Sequence, residues 1–198
     1  MQLLVGLGNP GARYVGTRHN FGFEAVDRLA KELRATWGWA TTKSESLVAN
    51  GKLGGKTIVL AKPQGFMNRS GRAVAELVQA CGLTPSELLV FFDDIALPLG
   101  AIRLRERGGD GGHRGLASVL EMLEGKDVAR VRLGIRPDFE PEDLSEFVLE
   151  PFAAEERSIV EEVLDRVAAA TRTILFEGMS KAMSLHNVMV RSDDGVQS

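Results

Sequence analysis

Leu88-Leu89-Val90-Phe91-Phe92-Asp93-Asp94 is the stretch on which the fold turns. Five consecutive apolar residues, too few for a buried helix of ordinary length, read as a strand covered on both faces, the place of a central strand in an α/β sheet. The run ends on two carboxylates, and the carboxyl ends of central strands are where open α/β sheets bind ligands. One of these acids could accept a hydrogen bond from an imidazole, fixing its tautomer and stabilising the imidazolium. The plain alternative is a solvated pair opening a turn before Pro98.

Working outward, Gln2 to Gly6 reads as a second short buried strand emptying into Gly6-Leu7-Gly8-Asn9-Pro10-Gly11. That segment matches the glycine pattern of dinucleotide-binding proteins, which also requires a helix opening at the third glycine and an acid about 20 positions on. Here Gly16 interrupts the following segment, and the amphipathic pattern starts only near Asn20, with Phe21, Val26, Leu29, Ala30 and Leu33 on one face. A nicotinamide site is therefore not expected. Thr17-Arg18-His19-Asn20 instead places one of only three histidines where a loop meets a helix start, and His19 is expected to act as a base.

Ser46 to Leu53 and Lys56 to Lys62 look like a hairpin joined at Gly54-Gly55, after a break at Trp37-Gly38-Trp39. Gly55-Lys56-Thr57 ends like a phosphate-binding loop, but a strand follows it, and the first glycine of that motif would fall on Asn50. Lys62 to Gly71 is a loop running into a helix over Arg72 to Cys81. In that loop Asn68 has two readings, a helix-entry cap or a neutral donor and acceptor facing a substrate on the same side as His19.

Beyond the central strand, Ala101 to Arg105 alternates Ile102 and Leu104 with Arg103 and Arg105, and Ala129 to Gly134 carries Arg130 and Arg132 in the same way. Between them Gly108-Gly109-Asp110-Gly111-Gly112-His113-Arg114-Gly115 is a loop whose backbone can approach a ligand closely, before a helix over Leu116 to Leu123. Arg103, Arg105, Arg114, Arg130 and Arg132 could together bind phosphate. Pro137 to Pro151 is an acidic connection, and Ala153 to Glu177 reads as a packing helix with Ile159, Val163, Val167 and Ile174 inward. His186 is expected to be a surface or core residue, and 188–198 a flexible tail.

Composition bounds the function. A chain of 198 residues that is 44% hydrophobic can bury the core of one domain. No run is long enough to span a membrane and the N-terminus lacks a signal-peptide pattern, so a cytoplasmic location is expected. Lone Cys81 reads as a small buried hydrophobe. The net charge of −3 hides an asymmetry: residues 1–136 hold 19 Lys and Arg against 13 Asp and Glu, a net of +6, while 137–198 carry 5 against 14, a net of −9. The first two-thirds can face a polyanion.

Gly-Asn-Pro-Gly at 8–11, Thr-Arg-His-Asn at 17–20, Phe-Met-Asn-Arg-Ser-Gly at 66–71 and the Gly-Gly-Asp-Gly-Gly-His loop at 108–113, in this order and spacing, resemble the bacterial-type peptidyl-tRNA hydrolases over residues 1–187. The resemblance implies an α/β fold, a single domain with a twisted mixed β-sheet flanked by helices, working as a monomer with no cofactor, metal or obligate protein partner. Its substrate would be peptidyl-tRNA, cleaved at the ester between the peptide and the 3′ ribose. Carried over by position, His19 is the base that activates water and Asp93 the acid that orients it. Asn9, Tyr14, Phe66, Asn68, His113 and Arg114 would contact the peptide side, and Arg103, Arg105 and Arg132 the tRNA phosphate.

The chemistry agrees, since an activated ester needs a positioned water, a base and neutral donors for the oxyanion, and no Gly-x-Ser-x-Gly elbow occurs. Three departures stand out: Arg114 where the family commonly has Asn, Phe92 before Asp93, and Ala96 at an often acidic position. Two rivals are an RNA-binding relative without catalysis, and a metal hydrolase built from His19, His113, Asp93 and Asp110, whose spacing fits no close-set ligand motif.

Overall fold

The apolar run at 88–92 lies at the centre of a seven-stranded sheet in the computed structural model, which describes residues 1–124 and 127–187. The tail expected over 188–198 lies outside the described residues. Among the described residues the strands are β1 (Gln2–Gly6), β2 (Gly38–Trp39), β3 (Ser46–Leu53), β4 (Lys56–Pro63), β5 (Leu88–Pro98), β6 (Ile102–Arg105) and β7 (Ala129–Arg136), in the order β2-β3-β4-β1-β5-β7-β6. The four central strands run parallel, and β2, β3 and β6 are added antiparallel at the edges. The helices are α1 (Phe21–Leu33), α2 (Ser70–Ala80), α3 (Arg114–Met122), α4 (Leu144–Phe147), α5 (Arg157–Glu177) and α6 (Met179–His186). This is the single mixed α/β domain that the resemblance implied.

Alternation along the strands divides the core in two. Leu4, Leu89 and Phe91 face one layer with residues of α1 and α5, while Leu3, Val5, Leu88, Val90 and Phe92 face the other with residues of α2 and α3. Burial on both faces is what an unbroken apolar strand demands, and neither residues 3–6 of β1 nor residues 88–94 of β5 have a wet side.

The glycines that imitate a dinucleotide fingerprint serve helix packing. A Cβ on Gly6 would lie 2.1 Å from the carbonyl oxygen of Gly22, and one on Gly8 would lie 2.7 Å from the Phe23 ring. Gly22 in turn sits against the carbonyls of Leu7 and Phe91. Side-chain-free contacts on both partners let α1 start directly against β1 and β5, which brings the turn before it, with His19, to the carboxyl edge of the sheet.

Four expectations are corrected in detail. Trp37-Gly38-Trp39 is not merely a break, because Gly38 and Trp39 pair with Val48 and Leu47 as the edge strand β2. β5 does not stop at Asp93-Asp94: a register shift follows Asp94, whose carboxylate accepts the Ala96 N–H at 2.8 Å, and pairing resumes at Pro98 with Arg136. On α5 the inward positions are Val160, Val163, Leu164 and Val167, and Ile159 is exposed. Cys81 is half-buried at the end of α2, where burial pushes its thiol up.

α5 is fastened to α1 by ion pairs of Arg28 with Glu161 and Asp165, of Arg157 with Glu24 and of Arg172 with Glu32, so part of the acidic surface is neutralised locally. His186 bonds Thr173 Oγ1 at 3.0 Å, and burial followed by nearby Arg166 pushes its imidazole down. Asn187 then lays its side-chain amide along β6, accepting the Leu104 N–H at 2.7 Å and donating to the Leu104 carbonyl at 3.2 Å.

Candidate active site

Three loops meet β5 at the carboxyl edge of the sheet. Asn9 follows β1, Met67 and Asn68 follow β4, Asp93 lies on β5, His19 and Asn20 form the turn before α1, and His113 caps the start of α3. The sheet thus converts residues spread over more than a hundred positions into one cluster.

Asp93 is its centre. The carboxylate is buried and receives His19 Nδ1 at 3.0 Å on both oxygens and His113 Nε2 at 3.1 Å on Oδ1. Burial alone raises a carboxyl pKa, but the charges and hydrogen bonds of the two imidazoles outweigh it and hold Asp93 well below the usual carboxylate range. A carboxylate has only lone pairs to offer, so each facing ring nitrogen must carry its proton. The second nitrogens then differ. His113 Nδ1 accepts the backbone N–H of Leu116 at 3.1 Å, leaving that ring fully committed. His19 Nε2 has no partner among the described residues, and 14% of the side chain is exposed.

The turn that carries His19 is held from outside. Its backbone N–H donates to the Val148 carbonyl at 2.7 Å, that of Arg18 to the Glu150 carbonyl at 3.0 Å, and Thr17 bridges Pro151. Arg18 is buried, donates to the Pro151 carbonyl and Glu156, and lies over the Phe147 ring at 4.1 Å. Neither this clamp nor its partner segment was expected from the sequence. The signal present, an arginine directly before the histidine, gave no hint of burial.

Asn9 is set with similar care. Asn20 accepts the Asn9 backbone N–H at 2.7 Å and donates to its carbonyl at 3.0 Å, while Asn9 Oδ1 accepts the Met67 N–H at 2.8 Å. With the oxygen occupied, the amide nitrogen of Asn9 is the free end, without a partner among the described residues. Asn20 is thus a positioning residue that sequence reasoning missed. Asn68 is exposed and caps nothing, so the helix-entry reading does not apply. Phe66 is exposed beside it, half-buried Tyr14 accepts a bond from Arg13, and Arg114 is exposed at the start of α3.

The arginine set divides. Arg103 and Arg105 are exposed on β6 and without partners among the described residues. Arg132, in register with Arg103, is tied to Asp94 and remains partly exposed. Arg130, expected among the phosphate contacts, is buried: it donates to the carbonyls of Val128, Gly108 and Gly109, and burial pushes its guanidinium down. It braces the glycine loop, and no phosphate can reach it as that loop lies.

His19, Asp93 and His113 also lie close enough to share a cation. Their donor chemistry points elsewhere, because the carboxylate is occupied by two imidazole N–H groups and the remaining His113 nitrogen by Leu116. Asp110 is not in the group and accepts the Gly112 N–H.

An α/β sheet with a histidine and aspartate paired at its carboxyl edge, one free imidazole nitrogen and neutral amides nearby carries the equipment of an acid–base hydrolase. A model of the peptidyl-tRNA hydrolase family matches residues 3–194. The chain is 49% identical over 187 residues to the peptidyl-tRNA hydrolase of Desulforudis audaxviator, covering 94% of this chain and 93% of the relative. It is 44% identical over 188 residues to that of Chloroflexus aggregans, covering 94% and 99%. Among solved structures, peptidyl-tRNA hydrolase from Acinetobacter baumannii superimposes with a TM-score of 0.88 at 31% identity over 95% of each chain. The chain belongs to the peptidyl-tRNA hydrolase family.

Proposed function

We propose that this protein hydrolyses the ester between a peptide's C-terminal carbonyl and the 3′ ribose of tRNA with water activated by His19, recycling tRNA from prematurely released peptidyl-tRNA. The observation that carries the reading is the Nε2 of His19, unpartnered among the described residues, on an imidazole whose Nδ1–H is held by Asp93. Nε2 takes a proton from water, and the water oxygen bonds to the ester carbonyl carbon. The oxyanion is met by the free amide nitrogen of Asn9 and by Asn68, neutral donors that need no reorganisation. The imidazolium, stabilised by Asp93, returns its proton to the 3′ oxygen as the carbon–oxygen bond breaks.

His113 steadies Asp93 and shapes the peptide side together with Tyr14, Phe66 and Arg114. Arg103, Arg105 and Arg132 receive tRNA phosphate. Residues 1–187 form the working unit, acting as a monomer in the cytoplasm without metal or cofactor. The test is hydrolysis of a peptidyl-tRNA by wild type and His19→Ala, with a free N-acyl ester as control. Wild type should prefer the tRNA ester and the variant should lose it, and near-normal turnover by His19→Ala would sink the assignment.

A further inference from the structure

Arg103 and Arg132 stand directly opposite each other on the antiparallel strands β6 and β7. Like charges in that position repel, so the pairing of the strands does not by itself hold the two guanidinium groups on one course. What does is on the other side of β7. Phe92 of β5 is in register with Arg132, and Asp94, two residues on, rises on the same face beside it. Asp94 is only 9% exposed and divides its carboxylate between two donors. Oδ1 accepts the Ala96 N–H at 2.8 Å, and Oδ2 accepts the Nε–H of Arg132.

The first bond ties the carboxylate to the register shift in β5, so the oxygen that meets Arg132 is itself fixed. The second occupies Nε alone. Both terminal nitrogens of Arg132 are left without a partner among the described residues, on a side chain that is still 25% exposed. They form a fork of the kind with which arginine takes a phosphate. We infer that Asp94 is a positioning residue for the tRNA: it does not touch the substrate, but it turns Arg132 so that this fork faces outward beside Arg103. The inference rests on the phosphate role proposed above for the two arginines and adds the residue that aims one of them.

The test is steady-state hydrolysis of one peptidyl-tRNA, because two accounts of Asp94 give opposite signs. Acting only as a charge, Asp94 would repel phosphate, and Asp94→Asn would lower KM. Acting by position, it should do the reverse. An amide has one oxygen for two donors, so Arg132 loses its hold, and KM should rise about three- to tenfold with kcat little changed. The salt slope of tRNA binding should fall by up to about one. Asp94→Glu keeps the charge on a longer arm, so KM should rise there too, by less. In an Arg132→Gln background Asp94→Asn should add no further loss, since its effect passes through that arginine. An unchanged or lower KM in Asp94→Asn overturns the inference, as does a wild-type KM in Asp94→Glu should the amide variant not fold. A loss in kcat alone also overturns it and would group Asp94 with Asp93 and His19. So do equal losses from Asp94→Asn with and without Arg132. If Arg132→Gln itself kept the wild-type KM and salt slope, the phosphate role of that arginine would fail first, and this inference with it.

Discussion

Two loops each deliver an imidazole to the same carboxylate, yet they are built differently and cannot do the same work. The glycine loop that ends at His113 is braced from within by buried Arg130 and spends both ring nitrogens, one on Asp93 and one on the first turn of α3. The turn that ends at Asn20 is braced from outside by residues 148–156 and leaves one nitrogen of His19 uncommitted. In the proposed mechanism, what separates a base from a strut is the fate of the second nitrogen, since residue type and shared acid are identical.

The largest effect that can break this contrast is a direct one. His19→Ala should lower kcat about 10³- to 10⁴-fold, the upper part of the range for general acid–base groups, and His113→Ala only about tenfold. Equal losses in single-turnover hydrolysis would erase the distinction. Asp93→Asn comes next, at about 10²- to 10³-fold, because an amide can donate to Nδ1 and select the wrong tautomer. Thermal melts on that variant should confirm native folding.

Arg18→Met probes the outer brace. It should cost about 1–3 kcal/mol of stability, discounted because Glu150 and Glu156 are partly exposed, and lower kcat about tenfold with KM little changed. A change confined to melting temperature would make Arg18 purely structural. On the basic flank, Arg103→Gln should reduce the salt slope of tRNA binding by about one. Arg103 is the cleaner probe, since removing Arg132 would also strand Asp94.

The smallest effect lies in acid. Asp93 has a native pKa below its unfolded value, so its contribution to stability is complete above the unfolded pKa, about 4, and is lost as pH falls through the native one. Urea midpoints of Asp93→Asn, lower than wild type at neutral pH, should therefore decline less steeply than those of wild type below about pH 4. Parallel curves would show that the carboxylate's pairing contributes no such acid sensitivity.

Much of this arrangement was legible in the sequence, for reasons that can be named. An apolar strand ending in two acids announces a central strand by composition alone, and the pairing of His19 with Asp93 was expected from the loop, the strand end and the family resemblance. Arg130 could not be separated from Arg132, because alternation puts both on one face and only the distant Gly108-Gly109 backbone decides which is covered. Asn20 was silent for the same reason: its partner lies eleven residues back, and nothing local reveals that β1 ends beside the start of α1. The two-residue strand β2 is too short to leave a period.

The amide of Asn187 along β6 has a consequence outside the catalytic cluster. A strand at the rim of a sheet offers its backbone as a template for any passing extended chain, and aggregation begins at such rims. By answering both the N–H and the carbonyl of Leu104, one side chain plugs the rim beside Arg103 and Arg105 and keeps the surface proposed for RNA docking free of strand-to-strand adhesion.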